Sequence, residues 1–376
     1  MKKLIYVCFV FFLGALNIFA QTKESIRVGV YLDMSGQTSS FGIATHNGIK
    51  MAVDEINASG GIDGRKFEIF LEDDEGRPEK AKTAVVKLIS ENKVHAILGE
   101  VASTNSLAGG RAAQAAKIPM ITPSSTNLSV TQMGDYIFRA CFVDPFQGKA
   151  MAGFAFNTLK AKRVGILLDV NSDYSKYLVE SFTKAFINFG GKVVVKEGYT
   201  QVDTDFTSQL KKIRRLKPDA VYLPGYYSQV GIIARQARQL KMNMPLLGGD
   251  GWDSPELWKL GGDALNNSFI TNHFAVDNPA AKVQIFAKNF KTKFNVEPNA
   301  IAALGYDTVY ILADALKRAK TTDSEKLRDA LAQTKDFYGV TGKINFDAQR
   351  DAIKPVVILK LAPENSKFVY HSTIQP

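Results

Sequence analysis

The sequence is poor in residues that cross-link or ligate. It has two cysteines in 376 residues, Cys8 and Cys141. Cys8 lies in an apolar leader, so a chain without that leader keeps one thiol and forms no internal disulfide. The four histidines, His46, His95, His273 and His371, are far apart and lack metal-ligand spacing. No metal and no cofactor are expected. No G-x-G-x-x-G follows the first strand, and a P-loop and a G-x-S-x-G elbow are also missing. Nothing supplies a nucleophile with an acid–base partner, so an enzyme is not expected. Beyond residue 19 no apolar run approaches membrane-spanning length. The nearest thing to a basic tract with an aromatic, Lys288-Asn289-Phe290-Lys291-Thr292-Lys293, has the spacing of a solvated helix face. Nucleic acid is therefore not an expected partner.

What is present is ordinary for a soluble globular protein: 45% hydrophobic and 22% charged residues, in a chain long enough for two domains. The net charge is +10, or +8 once Lys2 and Lys3 are subtracted. Those lysines precede an apolar stretch from Leu4 to Phe19, broken by Tyr6, Gly14 and Asn17, with a cleavage point at Ala20-Gln21. Residues 1–20 read as a secretory signal peptide, which places the mature chain in the periplasm; left uncleaved, the leader would tether it to the membrane.

Apolar runs alternate with helical patterns. Strands are expected at residues 26–32, 67–71, 94–98 and 119–121, with helices around 49–56, 78–88 and 107–116 between them. The pattern restarts near Asp144, with strands at 164–168, 193–196, 220–223 and 245–247 and helices at 174–189, 206–216 and 230–240. Repeated βα units imply two α/β halves, each a parallel sheet covered by helices. The tail shows helices near 283–290, 302–319 and 327–331 and strands near 356–361 and 368–370. It lacks the alternation of a third domain, so its elements are expected to be shared between the halves.

In doubly wound sheets ligands bind beyond the carboxyl ends of the strands. The first half there presents Phe41, then Ile97-Leu98-Gly99-Glu100-Val101-Ala102-Ser103-Thr104-Asn105-Ser106, then Thr122-Pro123-Ser124-Ser125-Thr126-Asn127. Hydroxyls beside helix N-termini suit an anion. The dipole contributes about 0.3–1 kcal/mol near a surface. Burying an ion costs several kcal/mol, so direct bonds from Ser103, Thr126 and backbone N–H groups are needed. The second half presents Tyr174, Tyr226 and Gly249-Asp250-Gly251-Trp252. One carboxylate among aromatics suits an ammonium. Anion and cation sites on opposite halves describe a zwitterion held between two lobes. Taken singly, each residue has a plainer reading. Ser103 reads as an N-cap, Thr126 as turn chemistry, Asp250 as an Asx-turn, and the tyrosines as rim or core.

At this point a family is recognisable. Met34-Ser35-Gly36, Asp54-Glu55-Ile56-Asn57 with Gly60-Gly61-Ile62-Asp63-Gly64, Asp73-Asp74, Ile121-Thr122-Pro123, Gly249-Asp250-Gly251-Trp252, Gly305-Tyr306-Asp307 and Gly339-Val340-Thr341-Gly342 occur in family order. The chain resembles the periplasmic substrate-binding proteins of branched-chain amino acid ABC transporters, the leucine/isoleucine/valine-binding family. The resemblance implies a type I periplasmic binding protein, with two doubly wound lobes joined by a multi-strand hinge. Lobe I would be residues 24–142 plus about 275–345, and lobe II residues 143–272 plus about 350–376. It also implies a monomer that hands a small amino acid to transporter permeases. A sensor for amides or other amino-acid-like solutes is the alternative. Ser103 matches the family's carboxylate-binding serine, and Ser124, Ser125 and Thr126 its second carboxylate loop. Tyr174 and Tyr226 match its lobe-II tyrosines, and Asp250 its ammonium partner, often Glu there. Phe41 and Trp252 are expected to wall the ligand. Gly76 and Ala102 stand where the leucine-binding member has a disulfide, in keeping with the cysteine count.

Overall fold

A computed structural model describes residues 24–376. The expected signal peptide, residues 1–20, lies outside them. The first half runs β1 (Ile26–Leu32), α1 (Ser39–Ala58), β2 (Phe67–Asp73), α2 (Pro78–Ser90), β3 (Ala96–Leu98), α3 (Ser103–Ala115), β4 (Met120–Thr122), α4 (Ser129–Gln132) and β5 (Ile137–Arg139). The second runs α5 (Asp144–Gly153), β6 (Arg163–Asp169), α6 (Asp173–Asn188), β7 (Lys192–Tyr199), α7 (Thr207–Arg215), β8 (Ala220–Tyr222), α8 (Tyr227–Gln239), β9 (Leu246–Gly248), α9 (Pro255–Gly261) and β10 (Ser268–Asn272). The tail adds α10 (Ala281–Phe294), α11 (Ala300–Ala319), α12 (Ser324–Ala332), β11 (Phe337–Gly339), β12 (Gly342–Phe346), β13 (Ala352–Ile353), β14 (Val356–Ala362) and β15 (Lys367–Ile374).

The first sheet is wholly parallel in the order β2-β1-β3-β4-β5. The second repeats that order as β7-β6-β8-β9-β10, then continues into antiparallel β14 and β15. In each sheet the order reverses at the first strand, between β1 and β3 and between β6 and β8. Helices leaving these neighbours go to opposite faces, which opens a crevice at the strands' carboxyl ends. Both crevices face one cleft.

The α/β halves expected from the sequence are present, and the tail is shared between them. Helix α11 lies along α1 in the first lobe with its stripe Ala302, Val309, Ala313 and Leu316 buried. The helices approach backbone to backbone: a Cβ at Gly48 would sit 2.0 Å from the Ala302 carbonyl oxygen. Strands β14 and β15 extend the second sheet.

Several elements escaped the sequence pattern. Strand β5 is three residues long and contains a charge, Arg139. Helix α5 carries Pro145, Gly148 and Gly153, which weaken any apolar period. Strand β10 is fully buried on both faces, so it has no alternation to detect.

Arg139 is fully buried and pairs with Asp351, which comes from the far end of the chain. The same guanidinium donates to the carbonyls of Ser125 and Asn127 and to the Thr131 hydroxyl. It thus fixes the loop after β4 from behind. Replacing Arg139 by Leu strands Asp351 and these acceptors in the interior. The expected loss is about 3–5 kcal/mol of unfolding free energy in chemical denaturation.

Candidate functional site

The residues that follow the reversing strands meet in one buried cleft. Phe41, Val101, Ser124 and Ile301 line it from the first lobe, and Tyr174, Tyr226, Asp250 and Gly251 from the second. The cavity measures about 10 Å³, room for about one water molecule.

Asp250 opens a single 3₁₀ turn after β9 and is 4% exposed. The Asx-turn reading fails, because its side chain bonds to three other elements. Oδ1 accepts from Gln147 Nε2 at 2.7 Å and from the Tyr174 hydroxyl at 2.9 Å. Oδ2 lies 3.2 Å from His273 Nε2. The flanking glycines are steric necessities: a Cβ at Gly249 would lie 2.3 Å from the Tyr174 hydroxyl. Tyr174 and Tyr226 stack with centroids 5.2 Å apart and planes at 10°. Phe41 crosses over to meet Tyr226 and Tyr227 edge-on, at 5.9 and 4.8 Å.

On the first lobe Ser103 is buried but does not cap its helix. Ala102 occupies the N-cap, Ser103 is the first helical residue, and its hydroxyl accepts from the Asn127 N–H at 3.4 Å. Ser124 Oγ and Thr126 Oγ1 are buried without a well-formed partner, as is the Tyr226 hydroxyl. Buried polar groups of this kind are rare in folded proteins and mark places where a ligand or water completes the bonding.

Ser125, expected in the second carboxylate loop, and Trp252, expected in the wall, lie elsewhere. Ser125 turns inward and bonds to the Val101 carbonyl and the Ser106 hydroxyl. Trp252 is 0% exposed; its indole N–H donates to the Leu223 carbonyl, and the ring fills the space beside Gly248. It supports the Asp250 turn from behind. Both residues sit in strand-end loops, where the sequence does not say which way a side chain turns.

Residues 25–364 match the family model described as periplasmic binding protein. The chain belongs to that family. The Leu/Ile/Val-binding protein BraC3 of Rhizobium johnstonii is 31% identical over 87% of this chain and 88% of its own length. Among solved structures, the leucine binding protein LivK from Thermotoga maritima is 40% identical with a TM-score of 0.88, covering 93% of this chain and 99% of that one. The substrate binding protein LivJ from Streptococcus pneumoniae, solved in complex with isoleucine, is 34% identical with the same TM-score, covering 94% and 100%.

In this periplasmic binding protein the lobes already touch across the cleft. The Tyr227 hydroxyl donates to the Gln37 carbonyl at 3.1 Å and accepts from the Ser40 N–H at 3.2 Å. Ser40 and Ser254 hydroxyls lie 2.8 Å apart. Asn127 and Thr104 meet the backbone of Asp173 at 3.0 Å each. The sequence reading missed these contacts, together with Val101, Ile301, Gln147 and His273. They belong to segments whose approach depends on how the lobes pack.

Burial sets the electrostatics. It pushes His273 down to about 4, against the pull of Asp250, so the imidazole is neutral at pH 7. With Nε2 donating to Asp250, Nδ1 is left unpartnered. Burial raises Asp74 to about 7, with the Asp33 charge adding to the rise, and raises Asp144 to about 8. Asp253 rises to about 6. Each of these carboxyls holds its proton more tightly folded than unfolded. Their stabilising contribution is therefore full near pH 4 and is lost as pH rises through these folded values. His273 acts oppositely, and only as pH falls below about 6.5. Between pH 8 and 6.5 the carboxyls dominate. The melting temperature of the ligand-free protein should rise as the pH is lowered across that window. A calorimetric scan showing a fall would contradict this assignment.

Proposed function

We propose that the chain is the periplasmic substrate-binding component of an ABC transporter for a small α-amino acid, branched-chain or related. One observation carries this reading. Asp250 is a buried carboxylate whose partners, Gln147, Tyr174 and a neutral His273, include no fixed cation. Neutral donors offset part of its desolvation cost and leave the charge itself unbalanced. A ligand ammonium balances it. Opposite lie Ser124, Thr126 and Ser103, with the N–H groups at the start of α3, and these suit a carboxylate. Tyr174, Tyr226 and Phe41 enclose what lies between. The relatives support the amino-acid reading: LivJ was solved with isoleucine, and BraC3 is a Leu/Ile/Val-binding protein. The leader at residues 1–20 and the family fit export to the periplasm, where the monomer meets transporter permeases.

We divide the lobes as 24–142 plus about 275–345 and 143–272 plus about 350–376. The chain crosses between them after β5, after β10 and before β14. A cavity of about 10 Å³ is far smaller than an amino acid. Entry therefore requires hinge opening, and a ligand drives closure because it touches both lobes only when they are shut.

A calorimetric screen of amino acids, amides and benzoate on the mature protein tests the reading. Binding is expected for small α-amino acids and not for benzoate, which has no ammonium. Asp250→Ala should weaken that binding about a hundredfold or more. An unchanged affinity removes Asp250 from the site.

The cross-cleft contacts generate a separate expectation. Tyr227→Phe deletes a hydroxyl that bonds two first-lobe backbone groups. It should weaken ligand binding by up to about tenfold while leaving the melting temperature of the free protein nearly unchanged. Titration calorimetry and thermal scanning read the two effects apart.

A further inference from the structure

A second carboxyl lies behind Asp250, and the ligand contacts described above do not use it. Asp144 opens α5 and is 0% exposed, and neither of its oxygens has a well-formed hydrogen bond. Its backbone N–H donates to the Thr126 carbonyl at 3.0 Å, which ties it to the loop proposed to hold the ligand carboxylate. One turn further along α5, Gln147 donates to Asp250 and leaves its own carbonyl oxygen buried and unpartnered. The Thr126 hydroxyl lies beside the Asp144 carboxyl and favours its ionised form, while the Tyr222 hydroxyl is buried and unpartnered. Asp144 thus sits in a pocket of unsatisfied polar atoms joining the two ends of the proposed site.

We propose that Asp144 is a proton-carrying positioning residue that responds to the ammonium end of a zwitterionic ligand, releasing its proton to solvent when that ammonium binds at Asp250. The proposal rests on the amino-acid reading above.

The surrounding charges support it. Asp250 repels the ionised form of Asp144, and the Arg139 guanidinium attracts it. The phenols of Tyr174 and Tyr177 on α6 and of Tyr222 on β8 share its field, as does the Cys141 thiol. Lys354 lies beyond, acting on Cys141 and His273. With the site empty, burial outweighs the Thr126 hydroxyl and Arg139, and the carboxyl is pushed up to about 8, so it is neutral at pH 7. An arriving ammonium cancels the repulsion from Asp250 and adds attraction. An opposite charge within about 4–6 Å of a carboxyl weakens the proton's hold about ten- to a thousandfold, and the ligand's own carboxylate is met by the hydroxyls and N–H groups of the first lobe. The ammonium keeps its own proton. The carboxylic acid becomes a carboxylate, and one proton passes to the buffer.

Titration calorimetry with L-isoleucine at pH 7 in phosphate and in Tris tests this. These buffers take up protons with different heats. The two binding enthalpies should differ by an amount corresponding to between about 0.5 and 1 proton released per ligand. Affinity should tighten from pH 6 to pH 8, by up to about tenfold per pH unit. In Asp144→Asn the buffer difference should vanish and the affinity should become flat across that range. Infrared difference spectra of the unmodified protein should lose a protonated-carboxyl band on isoleucine binding, a readout that does not need the variant to fold. Equal heats in the two buffers, proton release that persists in Asp144→Asn, or no lost carboxyl band overturns the proposal and leaves the amino-acid reading standing. No binding of any amino acid overturns both.

Discussion

A buried acidic side chain with no permanent cation beside it is the constraint around which this molecule is arranged. Asp250 meets that condition: its partners are an amide, a phenol and a neutral imidazole. Each comes from a different element: α5, α6 and the segment after β10. Their convergence explains the glycines on either side of Asp250, because the phenol cannot reach the carboxylate past a Cβ at position 249. It also explains why Trp252 is structural. The indole wedges the turn from behind and leaves the cleft to the aromatic faces of Tyr174 and Tyr226.

The opposite wall is built by a different device. There the ligand-facing groups are hydroxyls and backbone N–H groups on short loops, which are soft unless held. Two buried residues, Glu100 and Arg139, hold them. The Glu100 carbonyl collects the hydroxyls of Ser106, Thr122 and Ser125, and its carboxyl accepts from the N–H groups of Asp33 and Ala102. Arg139 grips the next loop by its carbonyls and ties it to Asp351 near the end of the chain. A rigid donor wall on one lobe and an acceptor cluster on the other make closure dependent on a guest that answers both.

The repeated sheet order places these walls face to face. Both sheets reverse at their first strand, so both crevices open at carboxyl strand ends. Phe41, Ser103, Tyr174 and Tyr226 all follow reversing strands. The sequence could locate them because it shows strand ends. The cap, which is the plainer local reading of Ser103, and the expected place of Trp252 in the wall both differ from the structure because burial and side-chain direction there depend on contacts with residues distant in the chain. Gln147 and His273 gave no local signal. Gln147 sits in a helix broken by Pro and Gly, and His273 follows a strand with no alternation.

Local patterning by itself determined the two α/β halves, the shared tail and the loops that end in hydroxyls or in Gly-Asp-Gly-Trp. Periodicity and turn chemistry act over a few residues, and such features are written directly in the chain. Tertiary structure alone decided which side chains point into the cleft, which buried carboxyls lack a counter-charge, and how Tyr227, Ser40 and Asn127 join the lobes. Those outcomes depend on desolvation and on donor–acceptor pairing between residues as far apart as Gln37 and Tyr227. No window along the sequence contains both partners of such a pair.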